Sequence, residues 1–208
     1  MSESKSVFLF GYSGHAYVII ESLLDAGYHI NGYFDLKKAI KNPYELEYLG
    51  YEGGVDLKGI VGKDLVFPSV GENLIRKKLI SVFEDLGLNQ FIAKDPSANI
   101  SRSAKLNNST YIGKNVMVNS QSEIGKGVIL NTSCIIEHDC KVSDYSHIAP
   151  GAVLCGNVSI EEESMIGANS VVKQNAKIVS GSVIGAGSVV TSDILEKGVW
   201  VGNKLRKL

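Results

Sequence analysis

The sequence predicts a small α/β domain followed by a parallel β-helix, and three observations carry that reading. Stepping by six from Ile100 reaches Leu106, Ile112, Val118, Ile124, Leu130, Ile136, Val142, Ile148, Leu154, Ile160, Ile166, Val172, Ile178, Ile184 and Val190, without a miss. Ile, Leu and Val fill only 59 of the 208 positions, so composition alone does not produce the run. The residue two before each of these is Ala, Ser, Thr, Cys or Val throughout, from Ala98 to Ser188. The first ninety residues lack this period and instead alternate short apolar runs with helically spaced ones.

The elements follow in order. Val7 to Phe10 is a short buried-type strand, and Gly11-Tyr12-Ser13-Gly14-His15 is a turn. Residues 16, 19, 20, 23 and 24 are apolar with helical spacing, and Gly27 closes that helix. Ile30 to Phe34 is a second strand ending at Asp35, 36–60 read as a loop with short elements, and Val66 to Val70 is a third strand. A helix spans Leu74 to Gly87, Phe91-Ile92 is one more short strand, and Asp95-Pro96-Ser97-Ala98 punctuates the boundary. This places a Rossmann-like domain at 1–94 and the β-helix, with its tail, at 95–208.

In the repeat, residues two apart share a strand face, so each hexad turns one large and one small side chain inward. Three hexads make a triangular coil, and sixteen give slightly over five coils. The position after the aliphatic is Gly or Asn seven times (Asn107, Gly113, Asn119, Gly125, Asn131, Gly167, Gly185). Gly and Asn tolerate the positive φ expected of a tight corner.

Net charge is −1, which gives no basic field for nucleic acid or an anionic membrane. The opening Met-Ser-Glu-Ser-Lys-Ser is polar and the apolar run after it is too short for a signal peptide or a span, so the expected compartment is the cytoplasm. Three cysteines without a CxxC pattern read as small buried thiols, with neither disulfides nor zinc.

Ligands of such a sheet bind at the carboxyl ends of its strands, here Gly11–His15, Asp35 and Gly71–Asn73. A turn before a helix N-terminus suits phosphate, and an acid 24 residues after Gly11 falls near the distance for a ribose or base edge. A tight turn and a loop aspartate explain the same spacing equally well. Of four histidines, His29 reads as structural, while His138 and His147 occupy outward or corner positions of the β-helix. Asp139 follows His138 and could orient its imidazole. The two β-helix histidines lie half a coil apart, so they share a site only if two chains meet side by side.

Taken together, these residues resemble the hexapeptide-repeat sugar O/N-acyltransferases of the sialic-acid O-acetyltransferase type. The branch most similar is the bacterial UDP-4-amino-sugar N-acetyltransferases of bacillosamine-type pathways. The resemblance rests on Gly11-Tyr-Ser-Gly-His15, Phe34-Asp35, Ser69-Val-Gly71 with Arg76, Ile136-Glu-His-Asp139, Ser146-His147, Gly156-Asn157 and Gly198-Val-Trp-Val-Gly202. It implies a left-handed β-helix, acetyl-CoA as co-substrate, no metal, and a homotrimer with sites between subunits. By that resemblance His138 is the general base and Asp139 its partner. Gly11, Ser13, Gly14 and His15 hold the diphosphate, with Gly71 beside them, and Asp35 and Lys37 meet the uridine. His147 contacts acetyl-CoA from the neighbouring chain, the Gly156 N–H stabilises the oxyanion, and CoA runs past Gly167, Ala168 and Ala186 toward Lys204. A sugar hydroxyl as acceptor, or a non-catalytic nucleotide-sugar-binding role, remains a competing reading. Zinc-hydrolase chemistry on this scaffold needs three histidines, and the repeats hold two.

Overall fold

The computed structural model describes residues 5–208; the polar residues before them lie outside that range. Strands β1 (Ser6–Phe10), β2 (His29–Phe34), β3 (Leu65–Pro68) and β4 (Asn89–Gln90) form a parallel sheet in the order β2-β1-β3-β4. Helix α1 (Gly14–Asp25) covers one face and α3 (Asn73–Leu86) the other, while α2 (Leu57–Val61) is one short turn in the stretch read as loop. Alternation along β1 explains the two layers. Val7 and Leu9 pack with Ile19, Ile20 and Leu23 of α1, whereas Phe8 and Phe10 pack with Leu79, Ile80 and Phe83 of α3.

Three local expectations shift. Helix α1 starts at Gly14, not Ala16, so the Gly turn donates its own residues to the first helical turn. The third strand stops at Pro68 instead of Val70. Phe91 and Ile92 are not a strand: the chain leaves the sheet at Gln90 and re-enters at β5 (Ala93–Lys94), which pairs with Tyr111–Ile112 of the β-helix. Phe91 stays behind, packed on Tyr28 and Phe67, while Ile92 packs against the end of the β-helix core.

From β5 the chain winds through a left-handed parallel β-helix of about six turns. The count exceeds five because β5 adds a strand ahead of the first hexad and Val199–Val201 adds one after the last. β5 escapes the period because Lys94 holds the inward position at an open end, where it stays exposed. Two-residue strands stack in three faces. The outward columns are Tyr111, Ile129, His147, Met165 and Val183 on the first face. They are Met117, Ile135, Val153, Val171 and Val189 on the second, and Lys105, Glu123, Lys141, Ser159 and Lys177 on the third.

The inward aliphatics from Ile112 to Val190 are buried in one continuous core, each worth about 1.5–3 kcal/mol of burial. The small inward residues have a polar task as well. Thr110, Ser122, Ser146, Ser164 and Ser170 donate their hydroxyls to the carbonyls of Gly125, Glu137, Glu161, Val179 and Gly185, at the same corner of the next coil. At these five positions the buried hydroxyl is tolerated because it finds a carbonyl that the strand ladder leaves free, whereas Ser182 Oγ is buried without a partner.

The corner expectation is corrected. Positive φ falls three residues after each aliphatic from Leu106 to Ile184, at Ser109, Asn115, Gln121, Gly127, Ser133, Asp139, Tyr145 and their successors as far as Gly187. The glycines directly after the aliphatic answer to space instead. A Cβ on Gly167 would stand 2.5 Å from the Ala186 nitrogen, and one on Gly125 would stand 2.7 Å from that of Asp144. Coils approach too closely there for any side chain.

The tail is not a free solvated end. Arg206–Lys207 pairs antiparallel with Val199–Val201, and Lys207 forms an ion pair with Glu196.

Candidate active site

At the carboxyl ends of β1 to β3, a cleft of about 170 Å³ is lined by Gly11, Tyr12, Ser13, Asp35, Leu36, Glu52, Val70, Ile75 and Leu79. Gly11 is required by the path of the chain: φ is +97°, and a Cβ would stand 2.4 Å from Val70 Cγ2. Ser13 caps α1 with its backbone but makes no side-chain cap bond. The first N–H groups of α1 are therefore left for an anion. Gly14 faces open space, with nothing within 4 Å of a Cβ placed there.

Asp35 has a task inside the protein. Its Oδ2 accepts from the Tyr12 N–H at 2.9 Å and its Oδ1 from the Leu36 N–H at 2.7 Å, which fixes the Gly11–Ser13 turn. Lys37 is exposed and does not line the cleft. Glu52 escaped the sequence reading, which left residues 36–60 as loop. It reaches the cleft because residues 47–50 run beside β2: the Tyr33 N–H donates to Glu47, that of Leu49 to Tyr33, and that of Asp35 to Gly50.

His15 and His147, far apart in sequence, lie in one chain with ring centroids 6.2 Å apart. His147 does project outward from the β-helix, but the α/β domain covers its part of the first face. Burial, and then the Arg76 charge, lower the pKa of His15 to about 4. Burial, Arg76 and then His15 lower that of His147 to about 3. His15 Nε2 is buried without a partner, and His147 Nε2 lies 3.2 Å from Asn131 Nδ2. Gly71 packs beside His15, 3.8 Å from its Cγ to an added Cβ.

Arg76 links these pieces. Its side chain is buried and donates from Nε to Gly127 O at 2.6 Å, and from Nη1 to Val70 O and Gly71 O. From Nη2 it donates to Asn73 Oδ1 and Tyr145 O, both at 2.8 Å. Burial lowers its pKa to about 9, and Glu72 opposes that shift. One guanidinium thus joins α3 to two successive coils.

His138 is at the corner between the second and third faces, opposite the first face and its covering domain. Its Nδ1 lies 2.8 Å from Asp139 Oδ2, and both side chains are exposed. A carboxylate only accepts, so this bond puts the proton on Nδ1 and leaves the Nε2 lone pair free. The ring lies over Gly156 in the next coil, where a Cβ would stand 2.6 Å from both Cε1 and Nε2. Asp139 adopts φ of +60°, which an aspartate tolerates and which turns its carboxylate back to the ring.

The other predicted residues are elsewhere. Gly167, Ala168 and Ala186 form the corner between the first and second faces, and Lys204 is exposed in the tail. Within one chain, then, three groups stay apart: the cleft with the histidine pair, the His138 corner, and the Gly167 corner. Cys134 and Cys140 are buried, and burial raises their thiols to about 12 and about 11. Among the described residues no cluster of His, Cys, Asp and Glu is placed to hold a metal ion, and no helix is long and apolar enough to cross a membrane.

Residues 6–83 match the PglD N-terminal domain family, and residues 157–192 match the hexapeptide repeat of succinyl-transferase. Among solved structures, the chain is similar to a perosamine N-acetyltransferase from Caulobacter crescentus in complex with CoA and GDP-perosamine. The two share 28% identity over 98% of this chain and 96% of that one, with a TM-score of 0.92. It is also similar to the acetyltransferase domain of PglB from Neisseria gonorrhoeae in complex with acetyl coenzyme A, at 26% identity over 99% of this chain and all 100% of that one, with a TM-score of 0.87. WeeI from Acinetobacter baumannii, at 22% identity, 99% and 100% coverage and a TM-score of 0.86, shares the fold.

Proposed function

Because the chain belongs to the hexapeptide-repeat sugar acetyltransferases, we propose that it moves the acetyl group of acetyl-CoA onto the amino group of a nucleotide-linked amino sugar. The observation that carries this reading is the His138–Asp139 pair, with the exposed His138 ring over a glycine and its Nε2 beside Gly156. The amine nitrogen attacks the thioester carbonyl carbon, and Nε2 of His138 takes its proton. The N–C bond forms and the C–S bond breaks, and the imidazolium returns the proton to the departing CoA sulfur. Asp139 holds the tautomer and supports the imidazolium. The Gly156 N–H serves the developing oxyanion.

The nucleotide diphosphate lies at Gly11, Ser13, Gly14 and His15, against the free N–H groups of α1. A uridine base is what the sequence resemblance implies, whereas the Caulobacter relative is solved with a guanosine diphosphate sugar.

The separation of the cleft from His138 across a filled core calls for a second chain. The second face carries the aliphatic column Met117, Ile135, Val153, Val171 and Val189 between the two glycine-bearing corners. In a homotrimer with these faces around the axis, the His138 corner of one subunit meets the Gly167, Ala168 and Ala186 corner of the next. The same neighbour brings its own cleft and His147 near. CoA runs between them, toward Lys204.

The test is an assay of CoA thiol release with purified protein and a panel of nucleotide-linked 4-amino sugars, their 4-hydroxy counterparts and free sugars. Turnover confined to the amino sugars is expected. Turnover only on hydroxyls, or none with any acceptor, overturns the proposal.

A further inference from the structure

Glu52 is half-buried at the mouth of the strand-end cleft and has no hydrogen-bond or ion-pair partner among the described residues. Around it the cleft is apolar: Leu36, Val70, Ile75 and Leu79 form the walls, and Leu36 and Ile75 are 70% and 49% exposed. Its polar lining is the Gly11–Ser13 turn, to which Asp35 is bound through the Tyr12 N–H, and Glu52, two residues past Gly50, whose carbonyl accepts from the Asp35 N–H at the end of β2. With the diphosphate at the helix end, the nucleoside extends toward the end of β2. There the other acid, Asp35, is committed through both oxygens to backbone N–H groups.

We infer that Glu52 reads the base and selects guanine, so that the acceptor is a guanosine diphosphate sugar. This inference rests on the nucleotide-sugar reading above and deepens it. The argument is one of donor patterns. A carboxylate accepts and cannot donate, and its two oxygens lie side by side. The Watson–Crick edge of guanine offers two adjacent donors, the ring N1–H and the exocyclic amine, which match that pair. Uracil offers a single N–H flanked by two carbonyl oxygens that a carboxylate repels. Adenine and cytosine each offer one amine beside a ring acceptor. The aliphatic walls stack on any base and add affinity without choosing, which leaves the choice to Glu52. On this inference the base is guanine where the sequence resemblance implies uridine.

The experiment measures binding of GDP, UDP, ADP and CDP by calorimetry to the wild-type protein and to Glu52→Gln. GDP is expected to bind wild type about tenfold or more tightly than the other three, the discrimination typical of a paired two-point base contact. Glu52→Gln is expected to lose about tenfold on GDP while its affinity for UDP holds within about twofold, which also reports an intact cleft. Equal affinity for all four nucleotides, or no binding of any, overturns the inference. So does an equal loss on all four in Glu52→Gln, which would mark a ribose contact. Acetyl transfer is scored separately with GDP- and UDP-linked amino sugars. Absence of transfer from both sinks the acetyltransferase reading and leaves the GDP preference standing. Preferred turnover of the UDP sugar sinks the inference and leaves the acetyltransferase reading standing.

Discussion

His15, in the first turn of the α/β domain's opening helix, and His147, on the β-helix, face each other at 6.2 Å with their ring planes 38° apart. Both rings share the neighbourhood of the buried Arg76 charge, and both are held neutral, with pKa values of about 4 and about 3. Below the unfolded value near 6.5, the unfolded chain binds protons that the folded chain refuses. Stability is therefore full at pH 7 and falls as pH drops from about 6.5 through the folded values. The loss is about 2 kcal/mol per ring at pH 5. Urea unfolding at pH 7 and pH 5 checks this. A His15→Asn, His147→Asn double variant is expected to flatten the difference, and an unchanged difference would remove the pair as its source.

Gly156 is expected to be required by the His138 ring and not by the coil. Gly156→Ala puts a methyl 2.6 Å from Cε1 and Nε2 of an exposed ring that is free to swing away. The expected result is a loss of at least about a hundredfold in kcat, comparable to His138→Ala, with an unchanged melting temperature. Gly14→Ala meets open space and is expected to leave the fold intact. Circular dichroism melts and steady-state kinetics on the three variants separate these outcomes.

Arg76→Leu is expected to leave the carbonyls of Val70, Gly71, Gly127 and Tyr145 without their donor. The cost is about 3 kcal/mol or more, from several buried acceptors stranded at once. Arg76→Lys is expected to recover only a part, because an ammonium cannot reproduce the planar fork. Equilibrium urea titration of both variants measures the two differences.

If the second face closes a trimer, Val171→Glu should break it. Val171 is 37% exposed in the single chain, so the change costs the monomer little. Sedimentation velocity is expected to show wild type near three times the 22.4 kDa chain mass and Val171→Glu near one. Acetyl transfer is lost with the assembly. A wild-type protein that sediments as a monomer with full activity would sink the shared site.

The repeat was legible because a strict period of six, with a large and a small residue in fixed places, has one geometric solution. The corner was misread because Gly and Asn admit two explanations, positive φ or lack of room. Gly167 and Gly125 answer to the second, while Asp139 and Tyr145 carry the first. His138 with Asp139 is a local signal and reads directly from adjacency. The His15–His147 contact does not, because it depends on how one domain docks against the other, through contacts such as those of Arg76 with Gly127 and Tyr145 and of Ser22 with Tyr111. Glu52 was hidden for a similar reason: only the pairing of residues 47–50 beside β2 delivers it to the cleft.

The guanidinium of Arg76, bound to α3 and to two coils at once, also limits what the molecule can do in motion. An α/β domain fastened in this way is expected to move with the β-helix as one body. In the trimer proposed above, the span between the strand-end cleft and the histidine of an adjoining subunit would then be a fixed length, which the proposed acceptor would bridge with its own pyrophosphate and sugar ring. On that reading, selection among acceptors is partly a matter of measure: a nucleotide sugar one phosphate shorter or one sugar longer would present its amine short of, or beyond, the proposed base.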